Sequence, residues 1–203
     1  MSEKSMKLKN ESVKRRSYRS FLPEKIDKET IEDWLMTASS APSGANKQPW
    51  FFCVVTDEVI KSKVREEAEK IEKEFYEKKI SEKWREDLKS LKTDYQKNFL
   101  TEASCLIVIF KEVYRINELN IKETNYYPTE CVGLATGLLI NAIRDSGYSS
   151  LTYTPAPSIF LKKLFNRPIG EMAVMILAVG KANSDYQLPE LRKKTINEIA
   201  KFY

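Results

Sequence analysis

The stretch RRSYRSF (Arg15–Phe21), together with APSGANKQPW (Ala41–Trp50), decides which fold the sequence predicts. If RRSYRSF is extended, Arg15, Ser17 and Arg19 point to one side, because side chains alternate along a strand. Two guanidinium groups with a hydroxyl between them suit a phosphate monoester. Taken alone, however, the arginines are explained more simply as a solvated run of charge.

The second stretch joins a predicted helix to a predicted strand. It is rich in short polar or flexible residues, which leave backbone amides exposed: Ser43, Gly44, Asn46 and Gln48. Taken alone, it is also explained by an ordinary turn. No glycine-rich turn from strand to helix lies near the arginines, so the sequence predicts neither a P-loop nor a dinucleotide fingerprint.

The composition of the chain favours one domain with a sizeable core, since 42% of its 203 residues are hydrophobic. The net charge of +5 is spread over both signs without a basic stripe interleaved with aromatics, so no nucleic-acid partner is predicted. The chain contains no histidine, which excludes Ser-His-Asp and Cys-His catalysis. An enzyme of this composition is expected to rely on a cofactor.

The three cysteines, Cys53, Cys105 and Cys131, are scattered over apolar segments and are predicted to be reduced core thiols. They suggest neither a disulfide framework nor a metal site. The polar start of the sequence contains no apolar core of a signal peptide, and the longest apolar tract is too short to span a bilayer. We therefore expect a cytoplasmic protein without membrane contact.

Helices and strands alternate along the sequence. Helical patterns occur at residues 4–15, after the N-cap candidate Asp27, in TECVGLATGLLINAIRDSG and near Ser158–Leu164. Strands are predicted for WFFCVV and SCLIVIF, both buried, and for SSLTYT and MAVMILAV. The charged segment from Glu58 to about Lys97 has a thin apolar face. It is either a solvated helical hairpin or an element that becomes ordered over a ligand.

Several distant motifs together resemble the FMN-dependent nitroreductase superfamily over nearly the whole chain. They are Arg15-Arg16-Ser17-x-Arg19, APSGAN-x-QPW, GEMAVMILAVGKA and the basic PELRKK. The resemblance implies an α+β, three-layer fold with a central mixed, mostly antiparallel sheet, in an intertwined homodimer with FMN at the subunit interface. It also implies one FMN-binding domain over residues 1–203, in which residues 58–100 form an active-site insertion, here called the lid.

The resemblance also implies the cofactor site. The FMN phosphate, ribityl chain and pyrimidine edge would be held by Arg15, Arg16, Ser17 and Arg19. Lys193, where the family commonly has arginine, would add a point charge rather than a fork. Pro42 and Ser43 would approach from the partner subunit. The Thr152 hydroxyl would bond flavin N5 as the catalytic contact, and Tyr153 and Thr154 would flank the ring.

The lid carries a set of three groups that suits an amino-acid ligand. Glu72 and Tyr76 are helical neighbours at i and i+4, and Lys97 follows after a turn and a second helix. They could be incidental surface groups, whose ion pairs contribute about 0–1 kcal/mol. Alternatively, Glu72 binds an α-ammonium group, Lys97 an α-carboxylate, and Tyr76 provides a hydrogen bond or a ring contact. Periodicity alone leaves both interpretations open.

The lid pattern Glu72-x-x-x-Tyr76, Trp84, DLKSLKTDY and Lys97, with TYTP further on, resembles the iodotyrosine deiodinase branch of the superfamily. This implies reductive dehalogenation of mono- and diiodotyrosine to tyrosine and halide, with the substrate phenolate received by the backbone at Ala45. One alternative is a general NAD(P)H-dependent nitroreductase or quinone reductase of the same fold, and NAD(P)H is also a candidate electron donor for the dehalogenase. Another is a flavin-binding or ligand-sensing protein.

Overall fold

The computed structural model describes residues 2–91 and 93–203. The helices are α1 Glu3–Val13, α2 Lys28–Ser39, α3 Glu58–Glu74, α4 Glu82–Lys89, α5 Phe99–Glu102, α6 Pro128–Asp145, α7 Ile159–Leu164 and α8 Ile196–Ile199. The strands are β1 Trp50–Val55, β2 Cys105–Glu112, β3 Tyr114–Ile116, β4 Lys122–Thr124, β5 Ser149–Tyr153 and β6 Glu171–Gly180. Within the described ranges, no helix is long and apolar enough to cross a lipid bilayer.

Four strands form the central sheet in the order β1-β2-β6-β5, and each neighbouring pair is antiparallel. Strands β3 and β4 form a separate hairpin. The cationic segment, Arg15–Phe21, lies beside the edge of the central sheet, where Ser17 forms an isolated parallel bridge with Ser150 of β5. The predicted mixed, mostly antiparallel sheet is thus confirmed.

Two apolar cores lie on opposite faces of this sheet. Leu106, Val108 and Phe110 of β2 belong to the core that contains residues of α3, α5 and α7. Residues 105, 107 and 109, which alternate with them, belong to the core beneath α2 and α6. Because β2 is covered on both faces, its sequence is continuously apolar, and the predicted three-layer arrangement is confirmed.

Local signals in the sequence account for the ends of the helices. The Asp27 carboxylate accepts a hydrogen bond of 2.7 Å from the backbone N–H of Thr30, so it caps α2 as predicted. Helix α6 begins with Pro128 in its first turn, where no intrahelical N–H is needed. It ends before Gly147, whose φ of +82° suits a glycine just beyond a helix.

The prediction that WFFCVV is buried was wrong for part of the strand. Phe51 and Val54 are 42% and 38% exposed, whereas Val55 is buried. The reason is that β1 lies at the edge of the sheet, and a strand's own apolar sequence does not reveal how many elements cover it. Instead, the Arg167 guanidinium stacks over the exposed ring of Phe51, with its central carbon 3.5 Å from the ring centroid.

The three cysteines are free thiols, but only two belong to the core. Cys105 and Cys131 are buried, whereas Cys53, on the edge strand, is half-buried. Burial raises the pKa of Cys105 to about 12, so this thiol stays protonated at neutral pH.

Candidate active site

A cavity of about 220 Å³ lies between the lid and β5. Seven residues predicted from the sequence line it together: Arg19, Glu72, Tyr76, Lys97, Thr152, Tyr153 and Thr154. The lid contributes apolar side chains as well, among them Phe75, Trp84 and Leu88. The cavity is therefore part charged and part apolar, as a site for an aromatic amino acid would be.

Parallel pairing brings the cationic segment to this cavity. Ser17 lies beside Ser150, so Arg19 and Thr152, each two residues further on, both reach the lining. Thr152 is exposed and Tyr153 is buried, as expected from alternation along a strand. One end of β5 thus presents a hydroxyl outward and a phenol toward the core.

A wide turn of helix shapes the lid. After α3, residues Phe75–Lys79 form a π-helix, closed by a hydrogen bond of 2.9 Å from Ile80 N–H to the Phe75 carbonyl. The Tyr76 carbonyl accepts a hydrogen bond from Arg85, and the Tyr76 hydroxyl donates to the Thr93 carbonyl at 3.4 Å. Single π-helical turns are frequent at functional sites. Here the turn lies between Glu72 and Trp84 and keeps Tyr76 in the cavity lining.

Glu72 and Lys97, two charged residues of the lid, form an ion pair in the cavity. Lys97 Nζ lies 3.1 Å from Oε2 of Glu72, and their side chains are only 4% and 15% exposed. The other carboxylate oxygen, Oε1, accepts a hydrogen bond of 3.0 Å from the Tyr153 hydroxyl. Lys97 also donates to the Asp94 carbonyl, and its Nζ is 5.4 Å from the ring centroid of Tyr76. This degree of burial excludes the interpretation of Glu72 and Lys97 as incidental surface charges.

Two contacts of the site were not predicted. Glu69 accepts hydrogen bonds from the backbone N–H of Lys97 and from Arg65, both at 2.7 Å, and so ties the Lys97 backbone to α3. The spacing of Arg65 and Glu69 is readable in the sequence, but the contact with Lys97 depends on the tertiary fold. Tyr153 was expected beside the cofactor ring, and its bond to Glu72 had no signal in the sequence.

The cationic segment contains three half-buried arginines, Arg15, Arg16 and Arg19. In the described part of the chain, none of them has a carboxylate within 4.0 Å. Arg15 Nη1 lies 3.5 Å from the Ser17 hydroxyl, and Arg16 donates to the Pro189 carbonyl. Partly desolvated guanidinium groups without a carboxylate suit an external anion such as a phosphate.

The remaining predicted residues do not line the cavity of their own chain. Pro42 and Ala45 lie exposed on the loop after α2, where the Ser43 hydroxyl accepts a hydrogen bond of 2.9 Å from Gln48 N–H. Lys193 is exposed in the C-terminal segment, beyond the carbonyl that binds Arg16. The structure of one chain thus separates these residues from the lid.

The loop after α2 is held in an uncommon backbone conformation. Ala45, Asn46 and Gln48 have positive φ angles of 50°, 53° and 48°. A β-carbon on Gly44 would lie 2.8 Å from that of Tyr126, so glycine is required where the loop packs against the start of α6. Such conformations persist where surrounding contacts impose them, and they cluster at functional sites.

The Nitroreductase family model matches residues 13–181. The iodotyrosine deiodinase of Haliscomenobacter hydrossis is 44% identical over 180 residues, which are 89% of this chain and 81% of the relative. The iodotyrosine deiodinase of Hydra vulgaris is 40% identical over 186 residues, which are 91% of this chain and 68% of the relative. A crystal structure of oxidised iodotyrosine deiodinase with FMN and 3-iodo-L-tyrosine aligns with a TM-score of 0.83, at 33% identity, over 96% of this chain and 100% of the other. The chain therefore belongs to the nitroreductase family, within its iodotyrosine deiodinase branch.

Proposed function

We propose that the protein catalyses FMN-dependent reductive dehalogenation of halotyrosines, converting mono- and diiodotyrosine to tyrosine and halide. The observation that carries this proposal is the joint presence of Glu72, Tyr76 and Lys97 in one cavity with Thr152. An aromatic nitro compound has no zwitterion and gains little from a buried carboxylate and ammonium group. The related iodotyrosine deiodinases, one of them in complex with FMN and 3-iodo-L-tyrosine, support the same conclusion.

In this proposal, the lid binds both charged groups of the substrate zwitterion. Glu72 accepts the α-ammonium group, Lys97 binds the α-carboxylate, and Tyr76 adds a hydrogen bond or ring contact. The substrate ring lies against the apolar part of the lid, where Phe75 and Trp84 pack edge to face with ring centroids 4.9 Å apart. Closure of the lid excludes water and strengthens each electrostatic contact beneath it.

The residues beside the lid fit FMN. Arg15, Arg16, Ser17 and Arg19 would hold its phosphate, ribityl chain and pyrimidine edge, with Lys193 as a further cation. When bound and reduced, FMN supplies the two electrons that, with one proton, replace the halogen at the aryl carbon and release halide. Thr152 would donate a hydrogen bond to flavin N5. No protein nucleophile is required, in agreement with a chain that has no histidine.

A second copy of the chain completes the site in this proposal. Pro42, Ser43 and Ala45 lie outside their own chain's cavity, and the Ala45 backbone would receive the phenolate across the dimer interface. Helix α6 supports such an interface: Leu134 is 53% exposed, and a β-carbon on Gly133 or Gly137 would meet nothing within 4 Å. A light-scattering measurement tests it. Leu134→Glu should yield monomers with weakened FMN binding, and a monomeric wild-type protein would contradict the dimer.

The reaction is tested under anaerobic conditions. The purified holoprotein is reduced with dithionite, diiodotyrosine is added, and tyrosine and iodide are quantified. Iodide should appear in proportion to the reduced flavin. No release, together with rapid NADPH-driven nitroreduction, would identify a general nitroreductase. Tight binding of iodotyrosine without release of halide would identify a ligand-sensing protein. The predicted cytoplasmic location remains part of the proposal and is tested by cell fractionation.

A further inference from the structure

Tyr153 connects the rigid sheet to the lid. Its backbone lies at the end of β5, paired with Ile176 of β6. The residue is 9% exposed, and its ring packs edge to face on Phe99, with centroids 5.7 Å apart at 76°. Its hydroxyl reaches Oε1 of Glu72 at 3.0 Å, and Lys97 Nζ lies 5.9 Å from the centroid of its ring. The sheet and the core thus fix the position of the phenol, and its hydroxyl contacts a residue of the lid.

The two oxygens of Glu72 have different partners. Oε1 is bound by Tyr153 of the sheet, whereas Oε2 lies 3.1 Å from Lys97 of the lid. An incoming ammonium group competes with Lys97 for Oε2, and the bond from Tyr153 to Oε1 is free to persist. A carboxylate has about four lone-pair sites, so both contacts can be accepted together.

We propose that Tyr153 is a positioning residue, which holds the Glu72 carboxylate in the orientation that receives the substrate's α-ammonium group. This inference rests on the proposed function and assigns to Tyr153 a role in specificity for amino acids rather than a contact with the cofactor. Burial, and then the neighbouring carboxylate, raise the pKa of the Tyr153 hydroxyl, so the phenol stays a neutral donor throughout the physiological range. A serine or threonine at this position would be too short to reach the lid.

Tyr153→Phe separates the hydrogen bond from the packing, because it keeps the ring against Phe99. The readout is the dissociation constant of the oxidised holoprotein for 3-iodotyrosine, followed by flavin absorbance. We expect it to rise about tenfold, the usual effect of losing a hydrogen bond to a charged group. Affinity for 2-iodophenol, which has no ammonium group, should stay within about twofold. Tyr148→Phe is the matched control, since its ring packs on Trp34 outside the site.

A double-mutant cycle tests whether Tyr153 acts through Glu72. In a Glu72→Ala background, which removes the acceptor, Tyr153→Phe should have little further effect on iodotyrosine affinity. Equal losses for iodotyrosine and iodophenol, or an additive cycle, would overturn the inference in favour of simple packing. Because the readout is binding, a wild-type protein that binds iodotyrosine but releases no iodide would contradict the proposed reaction alone. A wild-type protein that does not bind iodotyrosine would contradict both.

Discussion

Ser17 pairs with Ser150 as a parallel neighbour, so the cationic segment lies along the strand that carries Thr152. This pairing fixes where the half-buried arginines stand relative to the cavity. Arg15 and Arg16 lie before the bridge and Arg19 lies after it, at the lining. The segment therefore runs alongside β5, and it brings Arg19 to the cavity that Thr152 also lines.

We expect Arg15→Ala and Arg16→Ala to weaken FMN binding, because each removes a cation that has no carboxylate within 4.0 Å among the described residues. The affinity for FMN should fall about 10- to 100-fold for each arginine that contacts the phosphate, because this is the usual effect of losing a charge-assisted hydrogen bond. Fluorescence of released flavin measures it. Riboflavin, which has no phosphate, should bind these variants nearly as it binds the wild type. Arg115→Ala, in the exposed β3–β4 hairpin, is the control, and equal losses for both flavins would contradict the phosphate assignment.

Glu72→Gln and Lys97→Ala should each reduce iodotyrosine affinity by about 10-fold or more while FMN stays bound. The reason is that each removes one charge complementary to the zwitterion and leaves the other without its partner. Titration of the oxidised holoprotein gives the affinity, and its flavin spectrum gives the occupancy. Glu77→Gln is a suitable control, since Glu77 is an exposed lid residue 4.0 Å from Lys73. Loss of FMN from either variant would show that the lid assignment is wrong.

Gly170→Ala should destabilise the fold by about 3 kcal/mol or more, because it forces a clash between backbones. A β-carbon at this position would lie 1.8 Å from the Tyr114 carbonyl oxygen, where β6 begins beside the hairpin. Denaturant unfolding measures the change. Ile169→Ala, at a neighbouring residue that is 75% exposed, should change the stability by less than about 0.5 kcal/mol. Similar values for the two variants would exclude this steric explanation.

Stability should decline in alkali partly because of Tyr153, whose pKa is raised in the folded state, first by burial and then by Glu72. Below a pH of about 10, Tyr153 keeps its proton in both the folded and the unfolded protein, and its contribution to the free energy of unfolding is fully present. Above it the unfolded chain releases the proton and the native protein retains it, so the free energy of unfolding falls by at most about 1.4 kcal/mol per pH unit. Tyr153→Phe should have a shallower decline between pH 9 and 11. Identical slopes for both proteins would contradict the raised pKa.

The sequence predicted the elements well because their signals are local. The Asp27 cap, the glycine after α6 and the continuous apolar run of β2 each depend on a few neighbouring residues. The exposure of β1 depends on its place at the edge of the sheet, which no local pattern encodes. Likewise, the lid triad could be named by resemblance, whereas the bond from Tyr153 to Glu72 joins a strand to a helix and follows only from the fold.

The pairing of Glu72 with Lys97 makes ligand binding an exchange of partners rather than a simple addition. A zwitterion offers each of them a replacement for the ion pair it disrupts. A halogenated tyramine could replace Lys97 as the partner of Glu72, but it would leave the ammonium group of Lys97 buried without a counter-ion. A halogenated phenylpropionate would pair with Lys97 and leave the carboxylate of Glu72 without a counter-ion. A buried charge without a counter-ion costs several kcal/mol of binding free energy. In the proposed function, the closed pair would thus discriminate against molecules that carry only one of the two charges of the substrate, even when their aromatic rings are identical to that of the substrate.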